Sequence, residues 1–137
     1  MRAITHIVLH CTATPQTSTV QSILNYWKQV LGWRNPGYHI IIEANGTCHR
    51  LLDDSLVSNG VANHNAHSLH VSYVGGVDAH GHPLDNRTDA QKREQIRIIR
   101  RWLGEHPNAV VVGHRDFPSV TKACPSFDAP TWWASVK

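Results

Sequence analysis

Apolar positions along the chain follow two periods. Residues 4–11 place Ile4, Ile7, Val8 and Leu9 among Thr and His, a β-branched run that predicts a strand. Val20, Ile23, Leu24, Trp27, Val30 and Leu31 then recur at helical spacing, with Ser18 or Thr19 placed as N-cap and Gly32 as the stop. Residues 38–42 read as a second strand. Asn45-Gly46 is a hairpin turn signal that returns the chain over 47–52. Residues 53–67 are polar, rich in His and without period, which predicts a long functional loop. Residues 69–75 resemble a buried strand, and 76–87 a further loop. Thr88-Asp89-Ala90-Gln91 has the form of a capping box. The helix it opens carries Ile96, Ile99 and Leu103 on one face, with Lys92, Arg93, Arg97, Arg100 and Arg101 mostly elsewhere. Residues 109–112 form a short buried strand ending at Gly113-His114. A short terminal helix over 130–136 follows Asp128, with Trp132 and Trp133 for packing. This alternation predicts a mixed α/β fold. Its central, mostly mixed β-sheet has about five strands, flanked by two long helices and a short C-terminal helix.

Length and composition narrow the picture. A chain of 137 residues reads as a single domain, 1–137, large enough to bury a core. No apolar run approaches the roughly 18–20 residues that span a bilayer, so no membrane partner is expected. Met1-Arg2-Ala3-Ile4 leads directly into the first strand, which predicts no signal peptide and synthesis in the cytoplasm. The net charge of +3 favours an anionic partner without choosing among nucleic acid, cell-wall polymer and membrane surface. Three cysteines, an odd number, argue against a disulfide framework. Histidine, at 11 residues, stands out.

His6 and His10 share the four-residue spacing of a zinc-binding helix, but Ile7 stands where that motif needs its Glu. In a strand the two lie about 13 Å apart, at roughly 3.3 Å per residue. Zinc–nitrogen bonds are about 2.0–2.1 Å, so the pair cannot chelate one ion. His6 and His39, inside strands, read as structural; His80, His82 and His106 read as solvated. His10, at a strand's end, has a counterpart in His114, which ends the Val110-Val111-Val112-Gly113 run, and Cys124 follows ten residues later. Strand ends of open α/β sheets collect ligands. Two histidines and a thiolate with a fourth position open make a catalytic-type zinc site. Cys11 points to the face opposite His10 and reads as a packing thiol, as does Cys48.

The segments His10-Cys11-Thr12-Ala13-Thr14, Gly32-Trp33, Gly37-Tyr38-His39-Ile40-Ile41-Ile42, Asn45-Gly46-Thr47, Val74-Gly75-Gly76-Val77-Asp78, His114-Arg115-Asp116 and Lys122-Ala123-Cys124-Pro125-Ser126-Phe127-Asp128 occur in that order. Together they resemble the phage-lysozyme branch of the zinc-dependent N-acetylmuramoyl-L-alanine amidases, the family that also holds the peptidoglycan recognition proteins. The resemblance runs from Ile4 to Trp133. It implies one Zn2+ held by His10, His114 and Cys124, with water in the fourth position. It also implies hydrolytic roles for Tyr38 and Lys122. The bond cut would be the amide between the lactyl group of N-acetylmuramic acid and L-alanine of the stem peptide.

Zinc acidifies a bound water and polarises the carbonyl, and the Lys122 ammonium could hold the resulting oxyanion. Tyr38 could orient the water or pass a proton toward the leaving nitrogen. The general base is left open among Tyr38, Lys122 and the metal-bound hydroxide. Thr12 and Ala13 follow the first ligand and are expected to line the groove. His64, Asn65 and Ser68 belong to the loop that borders the cleft in relatives. That loop is shorter here, and His70 stands where relatives often have a small residue.

The expected partner is bacterial peptidoglycan, attacked by a phage or prophage endolysin after its release from the cytoplasm. No separate cell-wall-binding domain is expected, and monomer is the default. Some phage relatives also bind an RNA polymerase. They carry an N-terminal arm where this chain has only a few residues, which weighs against that partner. Binding-only members of the fold typically lack the Cys ligand, whereas Cys124, Tyr38 and Lys122 are all present. A nucleic-acid-binding reading of the Lys92–Arg101 charge run lacks accompanying stacking aromatics and zinc-finger spacing.

Overall fold

The computed structural model describes residues 2–137. Its strands are β1 (His6–Cys11), β2 (Ile40–Ile42), β3 (Cys48–Arg50), β4 (Ser68–Tyr73) and β5 (Val110–Gly113). They form one sheet in the order β3-β2-β4-β1-β5. β1 runs parallel to β4 and β5, and β2 parallel to β4, while β2 and β3 make the expected antiparallel hairpin. The sheet is therefore mixed, as the sequence predicts.

Side-chain alternation along the strands separates two layers. Ile7 and Leu9 of β1, Leu69, Val71 and Tyr73 of β4, and Ile40 and Ile42 of β2 belong to one core with two helices, α2 (Asp89–Glu105) and α3 (Ala129–Val136). The intervening residues face the other way. Val8 packs with Val61 and Phe117, and Ile41 with Val20, Ile23 and Trp27. His10, His70 and Ser72 share that second face by parity.

Helix α1 (Val20–Asn25) starts where expected, with Thr19 Oγ1 accepting from the Ser22 amide at 3.1 Å. It is shorter than its apolar spacing suggests. The chain widens into a π-helical turn over Tyr26–Val30, closed by Leu31 N donating to Tyr26 O at 3.1 Å. Trp27 is buried there, 6.1 Å from the Trp33 ring and edge-on to Tyr38 at 5.2 Å.

The capping box of α2 forms as predicted. Gln91 N donates to Thr88 Oγ1 at 3.1 Å, and Thr88 N to Gln91 Oε1 at 3.0 Å. Its buried stripe is rotated from the expected one and consists of Gln91, Gln95, Ile98, Ile99 and Trp102, with Ile96 and Leu103 flanking. The reason is polar: the Gln91 side chain donates to the Ile42 and Val74 carbonyls at 3.1 and 3.0 Å. Arg87 joins this layer to α3. Its guanidinium lies 3.4 Å from the Phe127 ring centroid and 4.5 Å from that of Trp132, and bonds Asp85 and Gln95. Among the described residues no helix is long and apolar enough to cross a membrane.

Candidate active site

His10 projects from β1 onto the face opposite α2 and is buried. His114 follows β5 directly, in a short 3-10 turn braced by the Gly113 amide donating to Asp116 Oδ2 at 2.7 Å. The segment bearing Cys124 is drawn against this turn by Arg115 N donating to Cys124 O at 2.8 Å. Gly113 permits the approach, because a Cβ there would sit 2.7 Å from Pro125 Cδ. The result is one donor atom each from His10, His114 and Cys124, all within 4.8 Å of one another. This group could hold a metal ion. His10 Nδ1 is 3.8 Å from Cys124 Sγ, and the Cys11 amide donates to Cys124 Sγ at 3.2 Å.

Burial pushes the His10 imidazole well below its ordinary range, aided by His70 and His114. His114 is lowered by burial and then by the Lys122 ammonium. Both shifts favour the neutral ring, the form that ligates metals. The Cys124 thiol is pushed up, first by its hydrogen bond with the Cys11 thiol and then by burial. Cys11 packs in the sheet core as the sequence suggests, yet it also touches the candidate ligand.

Beside this group lies a cleft of about 770 Å3. One wall is residues 59–65, the other residues 118–122, with Trp33 also lining it. His114 and Lys122 both face the cleft, while His10 and Cys124 are not among its lining residues. Tyr38 stands just before β2, its ring centroid 4.8 Å from that of His10 and its hydroxyl donating to Cys11 O at 3.3 Å. Burial, followed by the Cys124 and Cys11 thiols, raises the phenol far above its usual range, so it stays protonated.

The residues expected to contact substrate separate into two groups. His64 and Asn65 line the cleft, with His64 packed 4.6 Å from the Phe117 ring and Asn65 Oδ1 accepting from Val61 N at 2.8 Å. Thr12, Ala13 and Ser68 are not among the described lining residues. Thr12 Oγ1 is hydrogen-bonded with Thr14 Oγ1 at 2.7 Å and accepts from Gly75 N at 3.1 Å, and Ala13 takes φ 55°. Ser68 is buried and donates to His64 O at 2.6 Å, so it braces the cleft wall from behind.

Sequence reasoning noted His70 only as a departure from relatives and gave it no role, yet its Nδ1 lies 2.8 Å from His10 Nε2. The available signal was the alternation Ser68, His70, Ser72 in an otherwise apolar strand, polar residues at one parity of a buried sheet. On the opposite side of the molecule, Arg97 and Arg101 of the α2 charge run pair with Glu94 at 2.9 Å and Glu105 at 3.6 Å.

Two imidazoles and a thiol gathered on a mixed sheet beside an open cleft form a group suited to a metal-assisted hydrolase. Residues 1–127 match the family described as N-acetylmuramoyl-L-alanine amidase, and the chain belongs to that family. It is 37% identical to the endolysin of Klebsiella phage KP32 over 128 residues, 93% of this chain and 83% of the relative. The endolysin of Escherichia phage T7 is 34% identical over the same shares of the two chains. The fold matches that of the Ph2119 endolysin from the Thermus scotoductus MAT2119 bacteriophage Ph2119, with TM-score 0.81 and 23% identity. That match covers 98% of this chain and 85% of the other.

Proposed function

We propose that this amidase is a zinc-dependent endolysin, made in the bacterial host and acting on peptidoglycan after release. The observation that carries the reading is the His10, His114 and Cys124 donor group beside the cleft. The donor set fits zinc: two imidazole nitrogens and one sulfur are its usual ligands, and three protein ligands leave a position open for chemistry. The Cys11 amide directed at Cys124 Sγ is a donor to the thiolate that such a site needs, opposing the Cys11 thiol and burial that push the free thiol up. When bound, the ion supplies Lewis-acid polarisation of the scissile carbonyl and activation of a water nucleophile.

The chain's own residues do the rest. The substrate amide, joining the muramic lactyl group to L-alanine, lies in the cleft between the wall bearing His64 and Asn65 and the wall ending at Lys122. Lys122 places its ammonium where negative charge develops on the carbonyl oxygen. Tyr38, kept protonated by burial, serves as a donor and not as a base: it hydrogen-bonds the reacting oxygen or passes its proton toward the departing nitrogen. Its bond to Cys11 O, at 3.3 Å, is long enough to be exchanged for one to substrate. Thr12, Ala13 and Ser68 hold the strand end and the cleft wall in place.

Separating metal binding from turnover tests the assignment. Cys124→Ser and His114→Ala should each lose bound zinc, measured by elemental analysis after dialysis. Tyr38→Phe and Lys122→Ala should retain one zinc while kcat falls by about 10²–10³, the usual effect of removing a transition-state donor. Full activity of Tyr38→Phe would remove Tyr38 from the mechanism, and full zinc occupancy in Cys124→Ser would remove the metal assignment.

A further inference from the structure

The two ring nitrogens of His10 have different neighbours. Nδ1 is directed toward Cys124 Sγ, 3.8 Å away, and Nε2 toward His70 Nδ1, 2.8 Å away. The sheet dictates this contact. β1 and β4 are parallel with Val8 opposite His70 and His10 opposite Ser72, so both imidazoles rise from one face on adjacent strands.

His70 is fully buried and its ring is constrained from several sides. Its backbone amide donates to His39 Nδ1 at 3.1 Å, which leaves the His39 proton on Nε2, where it reaches Leu56 O at 2.8 Å. The His39 and His70 rings are parallel within 2°, their centroids 6.0 Å apart. Gly60 lies against the His70 ring so closely that a Cβ there would be 2.3 Å from Nδ1. His70 Nε2 has no hydrogen-bond partner among the described residues, so the ring's polar commitment is to His10.

We propose that His70 is the positioning residue of the metal site, accepting the Nε2 proton of His10 and so presenting the His10 Nδ1 lone pair beside Cys124 and His114. The inference rests on the reading of those three residues as zinc ligands. A neutral imidazole carries one proton, and metal takes the bare nitrogen. With Nδ1 toward the metal, Nε2–H needs an acceptor in a buried place, and His70 Nδ1 is the atom at hydrogen-bond distance. Metal-bound histidines generally give this second N–H to a carboxylate, a carbonyl or a water; here a second imidazole does the same work. His70 is not among the residues lining the cleft.

The test compares zinc affinity, by competition with a chromophoric chelator, in the wild type, His70→Leu and His70→Asn. Removing an outer partner of a metal ligand typically weakens the metal about 10–100-fold, and that loss is expected for His70→Leu. An Asn side-chain oxygen can take the place of Nδ1, so His70→Asn should recover most of the affinity. Equal affinity in wild type and His70→Leu, or an equal loss in both variants, would overturn the proposal. A second measurement needs no variant: long-range 1H–15N correlation on the zinc-loaded wild type should show His10 and His70 both protonated at Nε2. Protonation of His70 at Nδ1 would overturn it even if His70→Leu failed to fold. A wild type that binds no zinc would overturn the metal reading and this inference together, whereas the other negative outcomes leave the metal reading standing.

Discussion

Gly60→Ala is the substitution whose consequence follows most directly from the geometry. The new Cβ would lie 2.3 Å from His70 Nδ1, 2.5 Å from Cε1 and 2.6 Å from Cγ. Ordinary van der Waals contact begins near 3.4 Å, so the ring or the loop must yield by about 1 Å in a region packed like a crystal. Gly60 does not use the left-handed backbone region, so the penalty is steric and not conformational. Overpacking of this kind costs about 1–3 kcal/mol. Urea denaturation of the metal-free protein measures it. The decisive comparison is the same substitution in a His70→Ala background, where the ring is gone. There the added methyl no longer meets the ring and shortens the unfolded chain's list of conformations, an effect worth about 0.4–1 kcal/mol in favour of folding. The account therefore predicts a change of sign, with a coupling energy of at least about 1 kcal/mol. A Gly60→Ala effect of the same size and sign in both backgrounds would refute the claim that this backbone is shaped around the His70 ring.

Other expectations concern the scaffold. Arg87→Leu removes a guanidinium, only 3% exposed, that bonds Asp85 and Gln95 and covers the Phe127 ring. Breaking a buried pair costs about 3–5 kcal/mol, and because Asp85 is a third exposed we discount this to about 2–3 kcal/mol; chemical denaturation showing less than about 1 kcal/mol would contradict the role. Stability of the metal-free protein should depend on pH through His10, His39 and His70, each lowered chiefly by burial. Below an unfolded-state value near 6.5 the unfolded chain binds more protons than the folded one. The stabilisation is then fully present above about pH 6.5 and lost as pH falls through the lower folded values. Melting temperatures at pH 7.5, 6.5 and 5.5 should fall in that order, and a flat profile would contradict buried neutral imidazoles.

Much of this architecture was written in local patterns. The Thr88–Gln91 box, the Thr19 and Asp128 caps and the Asn45-Gly46 turn each carry their own hydrogen-bond logic, so they could be read one segment at a time. What escaped depends on contacts between segments. The stripe of α2 was misjudged because Gln91 and Gln95 are buried as polar residues, which an apolar period cannot announce. The π-helical turn at Tyr26 was hidden for a related reason: i+4 and i+5 closures place apolar residues almost alike over so short a span. His10 and His114 could be singled out because each ends a strand, and Cys124 because it lies in the Lys122–Asp128 segment that carries the family resemblance; the fold brings the three together. His70, inside a strand, needed the β1–β4 register before its neighbour could be known. Thr12 and Ser68 show the converse, since proximity to the site in sequence does not prevent a side chain from being used up internally.

The central claim, that a metal held by His10, His114 and Cys124 drives amide cleavage, is tested most directly on purified peptidoglycan. Products should be analysed for the native, chelator-treated and zinc-restored protein. The account predicts stem peptides released with a new L-alanine amine, lost on chelation and regained with zinc. Release that persists without metal, or new reducing sugar ends in place of new amines, would contradict it.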